Sequence, residues 1–214
     1  MTKKRILCFG DSNTWGFIPG TGERYPDDVR WTGVVRNLLG DGYTILEDGI
    51  SGRTTVYDQE WAVGRNGRKA LDYTLQAQKP IDLIIIMLGT NDLSMMELGK
   101  VELGIHEIAR VAKNADSIIN VKTPVYPNGP KVLLMAPPNL NVNYDEQTGQ
   151  IGKYEDSLKF PEVCERVAKD LGLYYMDASK YAEVGTIDCH MTEKGHRQLG
   201  EAVAARVKEI FEEM

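Results

Sequence analysis

The chain has 214 residues, 42% hydrophobic and 26% charged, with a formal net charge of -6. That suits one domain with a sizeable core, here taken as 1–214, and argues against nucleic acid or an anionic membrane as the main partner, since both reward basic patches. No apolar run approaches the roughly 20 residues of a membrane span, and the opening MTKKRILCFGDS is too short in its apolar part for a signal peptide and lacks a small-residue cleavage site, so a cytoplasmic protein is expected.

Residues 5–9 read as the first strand, with Cys8 a buried small hydrophobe inside it. The run stops at Gly10 and gives way to Asp11, Ser12, Asn13 and Thr14. A helix is expected over 27–40, where Val29, Val34, Val35, Leu38 and Leu39 precede a glycine stop. Strand two is placed at 43–47, a glycine-bearing loop at 53–67, a helix at 67–78 and strand three at 81–88. A helix over 102–119 leads to strand four at 131–136, then to a loop rich in Pro and Asn at 137–154. A helix at 155–172 follows, with Pro161 marking its first turn or a break. Strand five is placed at 173–177, and a long amphipathic helix at 192–214 has Thr192 as its N-cap. His106 and His196 fall in helices and are expected to be solvated or partly packed.

The stretches IDLIIIMLG and KVLLMAP are continuously apolar rather than alternating. That marks strands buried on both faces of a parallel sheet. Alternating strands and helices predict a three-layer α/β sandwich. Three cysteines, Cys8, Cys164 and Cys189, form neither a disulfide framework nor a metal pattern.

Four polar clusters follow expected strands: Gly10-Asp11-Ser12, GISGRTT at 49–55, GTND at 89–92 and IDCH at 187–190. In a parallel sheet they converge at one rim. Together they supply a nucleophile, a base, an acid and oxyanion donors, the inventory of acyl transfer. Each alone has a plainer reading. Ser12 is then a helix cap, Asn91 a turn or cap residue, Gly49 and Gly52 turn glycines, and His190 a surface histidine or metal ligand. Cys189 beside His190 raises a thiol nucleophile, but a base adjacent in sequence usually points elsewhere.

Taken in order, FGDSNTWG, GISGRTT, GTND and DCHMTEKGH resemble the four blocks of the SGNH (GDSL) hydrolase family over essentially the whole chain. RILCFGDSNTWG, VRWTGVV and IDLIIIMLGTND are most similar to its small bacterial arylesterase/acyltransferase branch. The resemblance implies a flavodoxin-like αβα sandwich with five parallel strands in order 2-1-3-4-5, and activity on carboxylic esters without metal or cofactor. It casts Ser12 as nucleophile, His190 as general base, and the Ser12 N–H, Gly52 N–H and Asn91 amide as the oxyanion hole. It further implies small acyl groups such as acetyl, with hydrolysis or transfer to an alcohol, and assemblies of like chains, for which loops 53–67 and 137–154 are the expected contacts. Trp15 lines the acyl pocket or belongs to the core, and Arg53 is structural or shapes the entrance. One departure stands out. The family acid sits three residues before the histidine, where this chain has Ile187; Asp188, two before, is taken as the orienting acid, with Asp177 or a backbone carbonyl as alternatives. The rival to an esterase is a non-hydrolytic module cupping a phosphate or flavin phosphate at the first helix.

Overall fold

A computed structural model of the chain describes residues 3–118, 122–187 and 189–213. In chain order the elements are β1 (Lys4–Gly10), α1 (Ser12–Trp15), α2 (Trp31–Leu39), β2 (Tyr43–Gly49), α3 (Gly67–Gln78), β3 (Leu83–Met87), α4 (Thr90–Met95), α5 (Leu98–Lys113), α6 (Ala115–Ile118), β4 (Val132–Ala136), α7 (Tyr144–Thr148), α8 (Lys153–Leu171), β5 (Tyr174–Asp177) and α9 (Glu193–Glu212).

The strands form one parallel sheet in the order β2-β1-β3-β4-β5, the expected fold. Their apolar character follows from where alternate residues point. Leu7, Phe9, Ile84, Ile86 and Leu134 pack against Leu71, Leu75, Ile105, Ile108 and Phe160 of α3, α5 and α8. Ile6, Cys8, Leu83, Ile85, Met87 and Leu133 pack against Trp31, Val35, Leu199, Val203 and Ile210 of α2 and α9. A helical layer covers each face, so neither register of a central strand is free to be polar. Among the described residues no helix is long and apolar enough to cross a membrane.

Three expectations need correction or trimming. α8 runs unbroken through Pro161, which lies in its middle rather than in its first turn. Proline there removes one backbone hydrogen bond, a cost of about 3 kcal/mol. Burial of Phe160, Val163, Cys164 and Val167 along the same helix outweighs it. His196 is wholly buried rather than solvated, because α9 lies against α2 and the ring faces Tyr25 and Trp31. The short helices α1, α4 and α7, of four to six residues, are not expected from the sequence because they are too short to show a helical repeat, and the helix expected over 102–119 is divided after Lys113 into α5 and α6. Ile119 and Met214, the last residues of two expected helices, lie outside the described residues.

Register explains how distant clusters meet. Gly10, the last residue of β1, pairs with Gly49 of β2 on one side and Met87 of β3 on the other. Ser12, Gly52 and Asn91 lie two, three and four residues beyond these neighbours. The chain leaves β1 for α2 on one face and leaves β2 for α3 on the other. The carboxyl end of β1 is therefore the switch point at which open α/β sheets place a crevice.

Candidate active site

The turn after β1 is a short capped helix. The Asp11 carboxylate accepts the Asn13 N–H at 2.9 Å and is the N-cap of α1. Ser12, read alone as a cap, is instead the first helical residue and is 5% exposed. The first amides of a helix have no intrahelical acceptor. β2 ends hard against this turn, since a Cβ on Gly49 would stand 2.2 Å from the Trp15 nitrogen.

His190, 178 residues further on, places its Nε2 2.9 Å from Ser12 Oγ. Phe17 stacks on the imidazole with ring centroids 4.2 Å apart. The segment carrying His190 is tied down on several sides. Gly185 N–H donates to the His190 carbonyl at 2.9 Å. The Asn13 amide bonds to Cys189 and Met191, and the loop after β4 reaches over through Asn141 to the Gly185 carbonyl and Gln147 to the Thr186 carbonyl. Asp188 lies outside the described residues. Asp177, the alternative acid, has its Oδ1 engaged by the Ser179 N–H at 3.0 Å and the Ser179 hydroxyl at 2.6 Å. Its carboxylate caps the short turn after β5.

The two residues expected as donors, Gly52 and Asn91, lie just after β2 and β3. Gly52 has φ +81°, a conformation that side chains disfavour, and a Cβ there would meet the Arg65 guanidinium at 2.7 Å. Asn91, second residue of α4, donates from Nδ2 to the Arg53 carbonyl at 3.0 Å and lies 3.5 Å from Asp11 Oδ2. The second contact is at the long end of the hydrogen-bond range. Arg53 is structural. It is 1% exposed, donates to the Gly10 and Asp48 carbonyls at 3.0 and 2.7 Å and to the Asp48 carboxylate at 2.7 Å, and lies over the Phe9 ring. Asp92 accepts the Thr55 N–H and hydroxyl, which ties the loop after β2 to the loop after β3. Trp15 is half-buried under the Arg24 guanidinium, 6.4 Å from Phe17. Phe17 in turn stacks on His190; sequence reasoning passed over Phe17 because a lone aromatic after a turn carries no periodic signal.

The sequence profile of the GDSL-like lipase/acylhydrolase family matches residues 8–198. The chain belongs to this family. Among curated proteins it is similar to an acetylxylan esterase of Xylanibacter ruminicola, 28% identical over 234 residues covering 95% of this chain and 43% of that protein. It thus spans less than half the length of that relative. Among solved structures it is similar to the M. smegmatis aryl esterase, at 34% identity and TM-score 0.87 over 96% of this chain and 99% of that one. It is likewise similar to Est24, a carbohydrate acetylesterase from Sinorhizobium meliloti, at 34% identity and TM-score 0.88 over 97% of this chain and 100% of that one. Nothing in these matches favours the phosphate- or flavin-binding alternative.

Three titratable groups around the candidate site, Asp11, Asp92 and His196, are buried. Burial, with Asp92 nearby, pushes the Asp11 carboxyl up to about 7 against the Asn13 N–H and the Arg53 charge. Burial raises Asp92 to about 6 despite its bonds from Thr55. His196 goes the other way: burial first, then the charges of Arg30 and His190, hold it down to about 3. Its Nδ1 accepts the Trp31 N–H at 3.3 Å, so the ring is neutral in the folded chain. An unfolded histidine titrates near 6.5. From there down to about 3 only the unfolded chain takes the proton, and stability falls on acidification. The buried aspartates act with the opposite sign, their contribution falling as pH rises from about 4 to about 7. Comparison with His196→Asn, which still offers an acceptor to Trp31, isolates the histidine. The advantage of the natural chain in urea midpoint shrinks as pH falls from 7 to 4.5, and a gap independent of pH contradicts the assignment.

Proposed function

We propose that the chain is a carboxylic ester hydrolase that cleaves small, acetyl-type esters through an acyl-serine intermediate. The observation that carries the reading is His190 Nε2 at 2.9 Å from Ser12 Oγ; in support, the Asn91 amide donates to the carbonyl of Arg53, the residue after Gly52, and lies 3.5 Å from the carboxylate of Asp11, the residue before Ser12. Nε2 takes the hydroxyl proton as Oγ attacks the ester carbonyl. The oxyanion accepts bonds from the Ser12 N–H, the Gly52 N–H and the Asn91 amide. Collapse expels the alcohol, which takes the proton from His190. The acyl group then leaves Ser12 for water or for a second alcohol, either of which His190 deprotonates. Asp188 holds the imidazole in the tautomer that leaves Nε2 free to accept. Trp15 and Phe17 form an aromatic wall beside the acyl group. The acetyl preference rests on what the acetylxylan esterase and carbohydrate acetylesterase relatives are named for.

The test is a series of p-nitrophenyl esters from acetate to palmitate, with and without an added alcohol. Acetate is the best substrate, and turnover falls steeply with chain length. In the same assay Asn91→Ala lowers kcat by about 10²–10³-fold, the usual loss for one oxyanion donor. KM moves little, because that bond strengthens mainly in the transition state. A loss confined to KM would make Asn91 a substrate-binding residue instead.

A further inference from the structure

We propose that Asn13 is the positioning residue for His190, holding the backbone on both sides of the imidazole and so setting the Ser12–His190 distance. The inference rests on the Ser12–His190 reading above. Asn13 directly follows Ser12 in α1 and is 1% exposed. Its Oδ1 accepts the Met191 N–H at 3.0 Å, and its Nδ2 donates to the Cys189 carbonyl at 3.2 Å. The two partners fix which way the amide faces, since an N–H needs an oxygen and a carbonyl needs a donor. They flank residue 190, so one planar group grips the chain immediately before and after the base.

The grip is anchored where the nucleophile is. The Asn13 N–H is itself held by Asp11 at 2.9 Å, in the turn that presents Ser12. Ser12 and Asn13 therefore act as one rigid piece, the first presenting Oγ and the second dictating where Nε2 stands. Met191 is wholly buried, and an N–H left unpaired there costs about 1–3 kcal/mol. The segment 189–191 thus shifts rather than leave that amide orphaned. A general base has to stay within hydrogen-bond reach of the proton it takes, and a displacement of about 1 Å costs on the order of 10²-fold in rate. No side chain but an amide of this length supplies both bonds. Leucine offers neither, and aspartate lacks the donor and sets a charge against the Cys189 carbonyl.

Asn13→Leu keeps the branched outline of the side chain in a somewhat larger volume and removes both bonds. It lowers kcat by about 10–100-fold, leaves KM within about twofold and leaves a folded protein by circular dichroism. Asn13→Ser, too short to span both partners, is the second variant and behaves the same way if the leucine does not fold. The deciding comparison adds His190→Ala. Residues that act as one unit lose activity together rather than additively. Asn13→Leu in the His190→Ala background is therefore silent. Full activity in both Asn13 variants, a loss confined to KM, or the same loss with and without His190 overturns the proposal. Retention of activity by His190→Ala alone would instead overturn the esterase reading on which it rests.

Discussion

Ser12→Ala lowers kcat by about 10⁴–10⁶-fold and leaves the thermal transition of the chain within a degree or two of the natural one. The size follows from what serine supplies in the proposed mechanism. Without Oγ no acyl-enzyme forms, and only donor placement and substrate binding remain, which sustain a small residual rate over water. The small effect on stability is specific to this fold. The cap of α1 comes from Asp11, whose carboxylate accepts the Asn13 N–H, so the Ser12 hydroxyl is not needed to start the helix. An active-site phosphonate labels Ser12 in the natural chain and nothing in the variant. Full activity in Ser12→Ala, or label on Cys189, refutes the assignment.

Asp188→Asn lowers kcat by up to about 10⁴-fold, the scale reached when the carboxylate of a serine triad becomes an amide. In the proposed mechanism this carboxylate is the group that accepts the imidazole N–H and selects the tautomer whose other nitrogen takes the serine proton. An amide in its place presents a donor and favours the wrong tautomer. Raising the pH does not restore the rate, because the defect is one of tautomer and not of titration. Asp177→Asn is the control. The Asp177 carboxylate is committed to Ser179 as the cap of the turn after β5, so its replacement leaves kcat in place. A silent Asp188→Asn with a slow Asp177→Asn exchanges the two roles. Two silent variants leave His190 held by backbone alone. Either result leaves Ser12 and His190 standing.

The chain by itself determined the sheet and named the residues proposed for the site. Continuous apolar runs such as 83–87 and 132–136 are legible because a strand covered on both faces has no register for polar residues. Ser12, Gly52, Asn91 and His190 are legible because each follows a strand and each belongs to a block whose company in one chain is far more telling than any member. What tertiary structure alone decided depends on contacts between residues far apart in sequence. That His196 is a neutral core histidine follows from α9 lying on α2, 165 positions away from its partner Trp31. Pro161 sits inside α8 because burial of the helix's core face outweighs a missing bond that local rules treat as a break. Phe17 and Asn13 lack any signal of their own in the sequence. They acquire a role only when the loop from β5 folds back across 178 residues and brings His190 to the turn at the end of β1. Local preferences encode periods and caps, whereas the surroundings of a single side chain are set by packing at long range.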